Sequence, residues 1–140
     1  MDKDREESAI HNKPDAVMVY TGETLEELVS RGWTGNWVAG LQRVRSLKLL
    51  VVVRSNGRTT KRNGHLARSA FLLAHISDVK AASEVGRIRI SFDRFAEIFV
   101  SGAWTGSRNP VAYVRLKTLG IDVGAQDWRA PAVPLVTASS

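Results

Sequence analysis

The chain contains no cysteine. That excludes disulfides, thiolate zinc sites and a cysteine nucleophile together, and it agrees with a reducing compartment. Long apolar runs are also missing: none approaches the roughly 20 residues that a membrane-spanning helix needs. The first residues, Met1-Asp2-Lys3-Asp4-Arg5-Glu6-Glu7, lack the basic-then-apolar order of a secretory signal. A soluble, cytoplasmic protein with no membrane partner is the expectation. Phosphate-cradling P-loops, GxGxxG fingerprints and GxSxG elbows are absent from the sequence, so no motif names a reaction or calls for a cofactor.

Acidic residues are absent from Leu28 to Ser77, where nine bases occur: Arg31, Arg43, Arg45, Lys48, Arg54, Arg58, Lys61, Arg62 and Arg68. The first 30 residues run the other way, with eight acids against three bases. The net charge of +6 thus hides an acidic beginning and a strongly basic remainder. Such a basic stretch concentrates polyanions and binds phosphates by counterion release; as a solvated face it would only keep the protein in solution. At 140 residues the chain makes one domain that buries roughly two thirds of its unfolded surface.

Lys48-Leu49-Leu50-Val51-Val52-Val53-Arg54-Ser55 carries five consecutive bulky apolar residues, too few for a free-standing helix and suited to a strand buried on both faces. It is the expected central strand. Residues 1–15 are expected to form a flexible acidic tail, residues 16–128 the domain, and residues 129–140, with two prolines, a surface strap or loose tail. Ala16 to Tyr20 is a short strand. Thr24-Leu25-Glu26-Glu27 is a capping box, predicting a helix over 24–31 that stops at Gly32. Asn36 is placed to cap a second helix carrying Trp37, Leu41 and Val44. Ala70 to Val79 reads as a strand, 80–86 as a turn, Arg87 to Phe92 as a strand of strict period two, and Phe95 to Val100 as a further strand. Asn109-Pro110 predicts a helix over 111–118 ended by Gly120, and 122–128 a turn or short helical piece. Few helices between the later strands point to an α+β domain: a small, strongly bent, mainly antiparallel β-barrel with peripheral short helices.

Two glycine-punctuated loops carry indoles, Trp33-Thr34-Gly35-Asn36-Trp37 and Trp104-Thr105-Gly106-Ser107-Arg108-Asn109. Paired tryptophans commonly cover a core edge; beside a basic groove an indole is instead a stacking platform for a base, worth about 1–3 kcal/mol each. Catalysis has less to work with. His11 lies in the tail and His75 in an apolar strand. His65, in the basic loop beside Arg58, Lys61, Arg62 and Arg68, could act as general base in a metal-independent ribonuclease or toxin-like enzyme. Asp93 and Glu97 fall on separate extended segments, so no metal site is expected.

The order of these elements over roughly residues 16–100 resembles the PUA-like superfamily, particularly its EVE and ASCH branches. The helix near the start, the aromatic segment, the strand Lys48–Ser55, the basic loop, the strand ending Ile76-Ser77-Asp78-Val79 and then Arg87–Phe92 carry the likeness. The Gly-x-Lys-x-x-Glu signature of ASCH domains is absent, so no catalytic role follows from it. The resemblance implies a cleft that binds nucleic acid, RNA or DNA, or a modified base, lined by indoles. Trp33, Asn36, Trp37, Arg54, Ser55, Asn56, Trp104, Arg108 and Asn109 are the matching candidates, and Arg58 and Arg62 of the loop add phosphate contacts. The expectation is a non-catalytic nucleic-acid-binding domain. Two alternatives remain: the His65 enzyme, and a protein-interaction module whose basic face meets an acidic partner, including the acidic tail of another copy in a dimer.

Overall fold

The computed structural model describes residues 13–55, 68–104 and 110–131. Six strands form one mixed sheet that curls strongly into a half-barrel, with two short helices beside it. They are β1 (Ala16–Thr21), α1 (Leu25–Arg31), β2 (Trp33–Val38), α2 (Leu41–Arg45), β3 (Leu49–Arg54), β4 (Ala70–Ala81), β5 (Arg87–Val100) and β6 (Val111–Val114). The order across the sheet is β2-β5-β4-β3-β1-β6. Every pairing is antiparallel except β1 with β3, which run parallel with Thr21 opposite Arg54. The expected small barrel is therefore an open half-barrel, and its antiparallel character is broken once.

The central strand is where the apolar run places it. Leu50 and Val52 enter one core cluster, and Val51 and Val53 the other, so β3 is buried on both faces. The first cluster also takes Val17 and Val19 of β1 and Trp37 of β2. Those strands lie four places apart in the sheet, so this face is the one the curl encloses. The second cluster lies on the opposite face, where Trp104, Leu116 and Ile121 cover Met18, Val51 and Leu73.

The capping box forms in both halves: the Glu27 amide donates to Thr24 Oγ1 at 3.0 Å and the Thr24 amide to Glu27 Oε1 at 3.1 Å. Gly32 closes α1 with a left-handed φ of 79°, a conformation that costs any residue with a Cβ. The next segment departs from expectation. Residues 33–38 are a strand, Asn36 caps nothing, and α2 starts after Gly40 without a side-chain cap. Tertiary pairing overrides the cap signal because Trp33, Thr34, Trp37 and Val38 are strand formers. A bulge between Gly35 and Trp37 rephases β2. Thr34 and Trp37 would face opposite sides of a regular strand; both are buried here, and Trp37 Nε1 donates to Thr34 Oγ1 at 3.1 Å. At Gly35 a Cβ would stand 3.4 Å from the Arg89 backbone, which fits glycine to the close approach of β2 and β5.

Three further expectations change. Residues 87–92 and 95–100 are one strand, β5, whose pairing with β4 shifts register at three places; those bulges bend the hairpin without ending it. Asp93 and Glu97 therefore share a strand, with both side chains exposed. The helix expected over 111–118 is β6 at 111–114 followed by a turn ending at Gly120, φ 72°, because β1 offers a free edge to pair. Asp122 caps a 3-10 turn at Val123–Ala125, and Arg129 bridges to Phe95, so the strap begins on the sheet.

Candidate functional site

Thr21 ends β1, Arg54 ends β3, and the two are register partners. Ser69 reaches the same end of the sheet: the Arg54 amide donates to the Ser69 carbonyl at 2.9 Å, and the Arg68 amide to the Arg54 carbonyl at 2.7 Å. Side-chain alternation turns Arg54 toward the enclosed face, since Val53 belongs to the opposite cluster. Its guanidinium lies 4.4 Å over the Phe71 ring and donates from Nη1 to the Glu23 carbonyl at 2.5 Å. Arg54 is fully buried.

Glu23 organises the surroundings. Its carboxylate accepts the hydroxyl hydrogens of Thr21 (3.0 Å) and Thr34, and pairs with the Arg31 guanidinium. Arg31 also donates to the Trp33 carbonyl at 3.3 Å. The guanidiniums of Arg31 and Arg89 stand 4.2 Å and 3.8 Å from the centre of the Trp33 ring. Glu23 thus links Arg31, whose guanidinium shares the Trp33 ring with Arg89, to Arg54 at its backbone carbonyl. Burial lowers the pKa of the Arg54 guanidinium, opposed by the Glu27 charge. Burial, and then the like charge of Arg89, lower that of Arg31. Arginine keeps its proton regardless, so positive charge sits here at an energetic disadvantage that an anion would relieve.

Among the residues expected from sequence, Trp33 is half-buried in this arrangement. Trp37 is 9% exposed, within the first core cluster. Trp104 is 8% exposed and stacks on Tyr20 with centroids 4.6 Å apart. Asn36 is exposed at the bulge, its carbonyl accepting from Arg87 at 3.0 Å. The Ser55 amide donates to the Thr21 carbonyl at 2.9 Å. Asn56, Arg58, Arg62, Arg108, Asn109 and the alternative base His65 lie outside the described residues.

Among the described residues, the basic stretch does not form one patch. Arg43, Arg45 and Lys48 sit at the opposite end of β3, with Arg43 3.7 Å over the Tyr113 ring and Arg45 Nε donating to the Val79 carbonyl at 3.0 Å. Arg45 and Lys48 line a groove of about 350 Å³ with residues 76–79. A more apolar groove, about 310 Å³, runs between α1 and β5 past Leu25, Val29 and Phe95. Among the described residues, no three His, Asp or Glu side chains cluster as metal ligands. His75 packs against Trp128, ring centroids 4.3 Å apart. Its pKa is lowered by burial and by Arg94, against the opposing pull of Asp93.

Sequence reasoning missed Glu23, Arg89 and Ser69. Arg89 had a signal, the wet basic face of the period-two strand. Glu23 looked like one more acid of the acidic beginning, and Ser69 carried no signal. Comparison of the chain with models of known families, with curated proteins and with solved structures finds no match.

Proposed function

We propose that this domain is a PUA-like half-barrel that binds nucleic acid without catalysing a reaction on it. The carrying observation is the stack of Arg31, Trp33 and Arg89, joined through Glu23 to buried Arg54. Planar cations held over an indole offer stacking surfaces to bases and donors to phosphates at once. Residues 56–67, which hold Arg58, Lys61, Arg62 and His65, begin and end beside Arg54, whose Nη1 donates to the Glu23 carbonyl. Phosphate contacts from that loop would supply salt-dependent affinity, and the stack would prefer unpaired bases, as in single-stranded RNA.

The test is fluorescence anisotropy of labelled single-stranded RNA, single-stranded DNA and duplex DNA across a salt series, with gels of the recovered probe. Single-strand binding that weakens steeply with salt, and that loses about tenfold on Arg89→Ala or Trp33→Ala, is expected. Flat curves at micromolar protein would overturn the proposal and turn attention to an acidic protein partner. Probe cleavage abolished by His65→Ala would replace the binding module with an enzyme.

A further inference from the structure

The enclosed face holds more hydrogen-bond donors at the Arg54 end than the described residues can satisfy. Arg54 uses Nη1 on the Glu23 carbonyl, while Nε and Nη2 are buried with no partner. These two nitrogens form one edge of the guanidinium, with parallel N–H bonds matched to two oxygens of a phosphate or carboxylate. The Ser69 hydroxyl is also buried and unpartnered. Ser69 lies opposite Arg54 through the backbone bond between them. Alternation along β4, with Ala70 in one cluster and Phe71 in the other, turns Ser69 toward the face where Arg54 covers Phe71. Buried donors without acceptors are rare and costly.

Two acids stand near Arg54, and neither bonds its Nε/Nη2 edge: Glu27, whose charge acts on Arg54, takes the Thr24 amide. Glu23 accepts from Thr21, Thr34 and Arg31 and reaches Arg54 only through its backbone carbonyl. An oxyanion would satisfy the Arg54 edge and add a negative charge against the guanidinium; a water could accept from the same nitrogens but would add none.

We infer that the inner end of the half-barrel is a site for a single oxyanion group of the phosphate class, gripped by the Nε/Nη2 edge of Arg54 and by the Ser69 hydroxyl. Inorganic phosphate and the terminal phosphate of a nucleic acid share that chemistry. In the second case the inference deepens the nucleic-acid proposal and rests on it.

Thermal unfolding of the full chain in sodium phosphate, against sodium chloride of equal ionic strength, tests the site directly. A phosphate-specific rise in Tm is expected, absent in Arg54→Lys, which keeps the charge but not the fork, and reduced in Ser69→Ala. Should Arg54→Lys fail to fold, Ser69→Ala decides. Anisotropy with 5′-phosphorylated and 5′-hydroxyl RNA of one sequence separates the sources: a gain of about tenfold for the phosphorylated strand, lost in Ser69→Ala, assigns the site to a nucleic-acid end. A phosphate-specific Tm rise without that preference assigns it to the free ion. If neither RNA binds, the nucleic-acid proposal fails while the Tm series still decides the site. No phosphate-specific Tm rise together with equal affinity for the two RNAs, or effects unchanged in both variants, overturns the inference.

Discussion

The carboxylate of Glu23, in the turn after β1, accepts the hydroxyl hydrogen of Thr34 in β2, although β5, β4 and β3 separate those strands within the sheet. Only the curl of the sheet brings them together, and one side chain then spans the mouth of the half-barrel. Its replacement tests that closure. Glu23→Gln keeps the shape but leaves Arg31 without its anion. A loss of about 1–3 kcal/mol is expected in urea unfolding at constant m-value. Glu26→Gln, at an exposed position of α1, should stay within about 0.5 kcal/mol. Equal effects of the two would show that Glu23 does not hold the mouth shut.

The capping box gives a local counterpart. Thr24→Ala removes the acceptor for the Glu27 amide and should cost about 1 kcal/mol. Thr24→Ser, which retains the oxygen, should recover most of it. Chemical denaturation of the three proteins side by side is enough, and a serine variant as weak as the alanine would count against the cap.

The elements legible from sequence were those whose signals are local. The box at Thr24 and Glu27, the valines at 51–53, and the alternation of Ile88, Ile90 and Phe92 each encode an element within a few residues. Asn36 and Asn109 misled for the same reason. Each is a sound cap by itself, but the chain after it found a strand edge to pair, β5 for Trp33–Val38 and β1 for Val111–Val114, and sheet pairing outweighed the cap. The site was legible only where charge or aromaticity marked it, at Arg54 and Trp33. Glu23 reaches Thr34 and Arg54 through the parallel register of β1 and β3 and the curl of the sheet, Ser69 meets Arg54 across β3 and β4, and Arg89 meets Trp33 across β2 and β5, each set by pairing between strands rather than by local sequence.

The four tryptophans give separable optical probes. Trp37 and Trp104 are nearly buried, whereas Trp33 is half-buried against two guanidiniums. If nucleic acid docks on the Arg31–Trp33–Arg89 stack, the fluorescence change on binding should vanish in Trp33→Phe and persist in Trp37→Phe and Trp104→Phe. A change lost with Trp104→Phe and kept by Trp33→Phe would move the interface to the Tyr20 side.

His75 makes stability depend on pH in a defined direction. Burial against Trp128 and the Arg94 charge lower its pKa from the ordinary value of 6.5, so the unfolded chain takes up its proton first. The stabilisation from neutral His75 is complete above the unfolded value. It declines as pH falls below that value, and is lost once pH drops beneath the lowered folded pKa. Unfolding free energy should therefore fall as pH drops through the ordinary value of 6.5 and on to the lowered folded value. His75→Phe keeps a ring against Trp128 and removes the proton, so its stability curve should be flatter over that interval. An identical slope in wild type and variant would assign the pH dependence to another group.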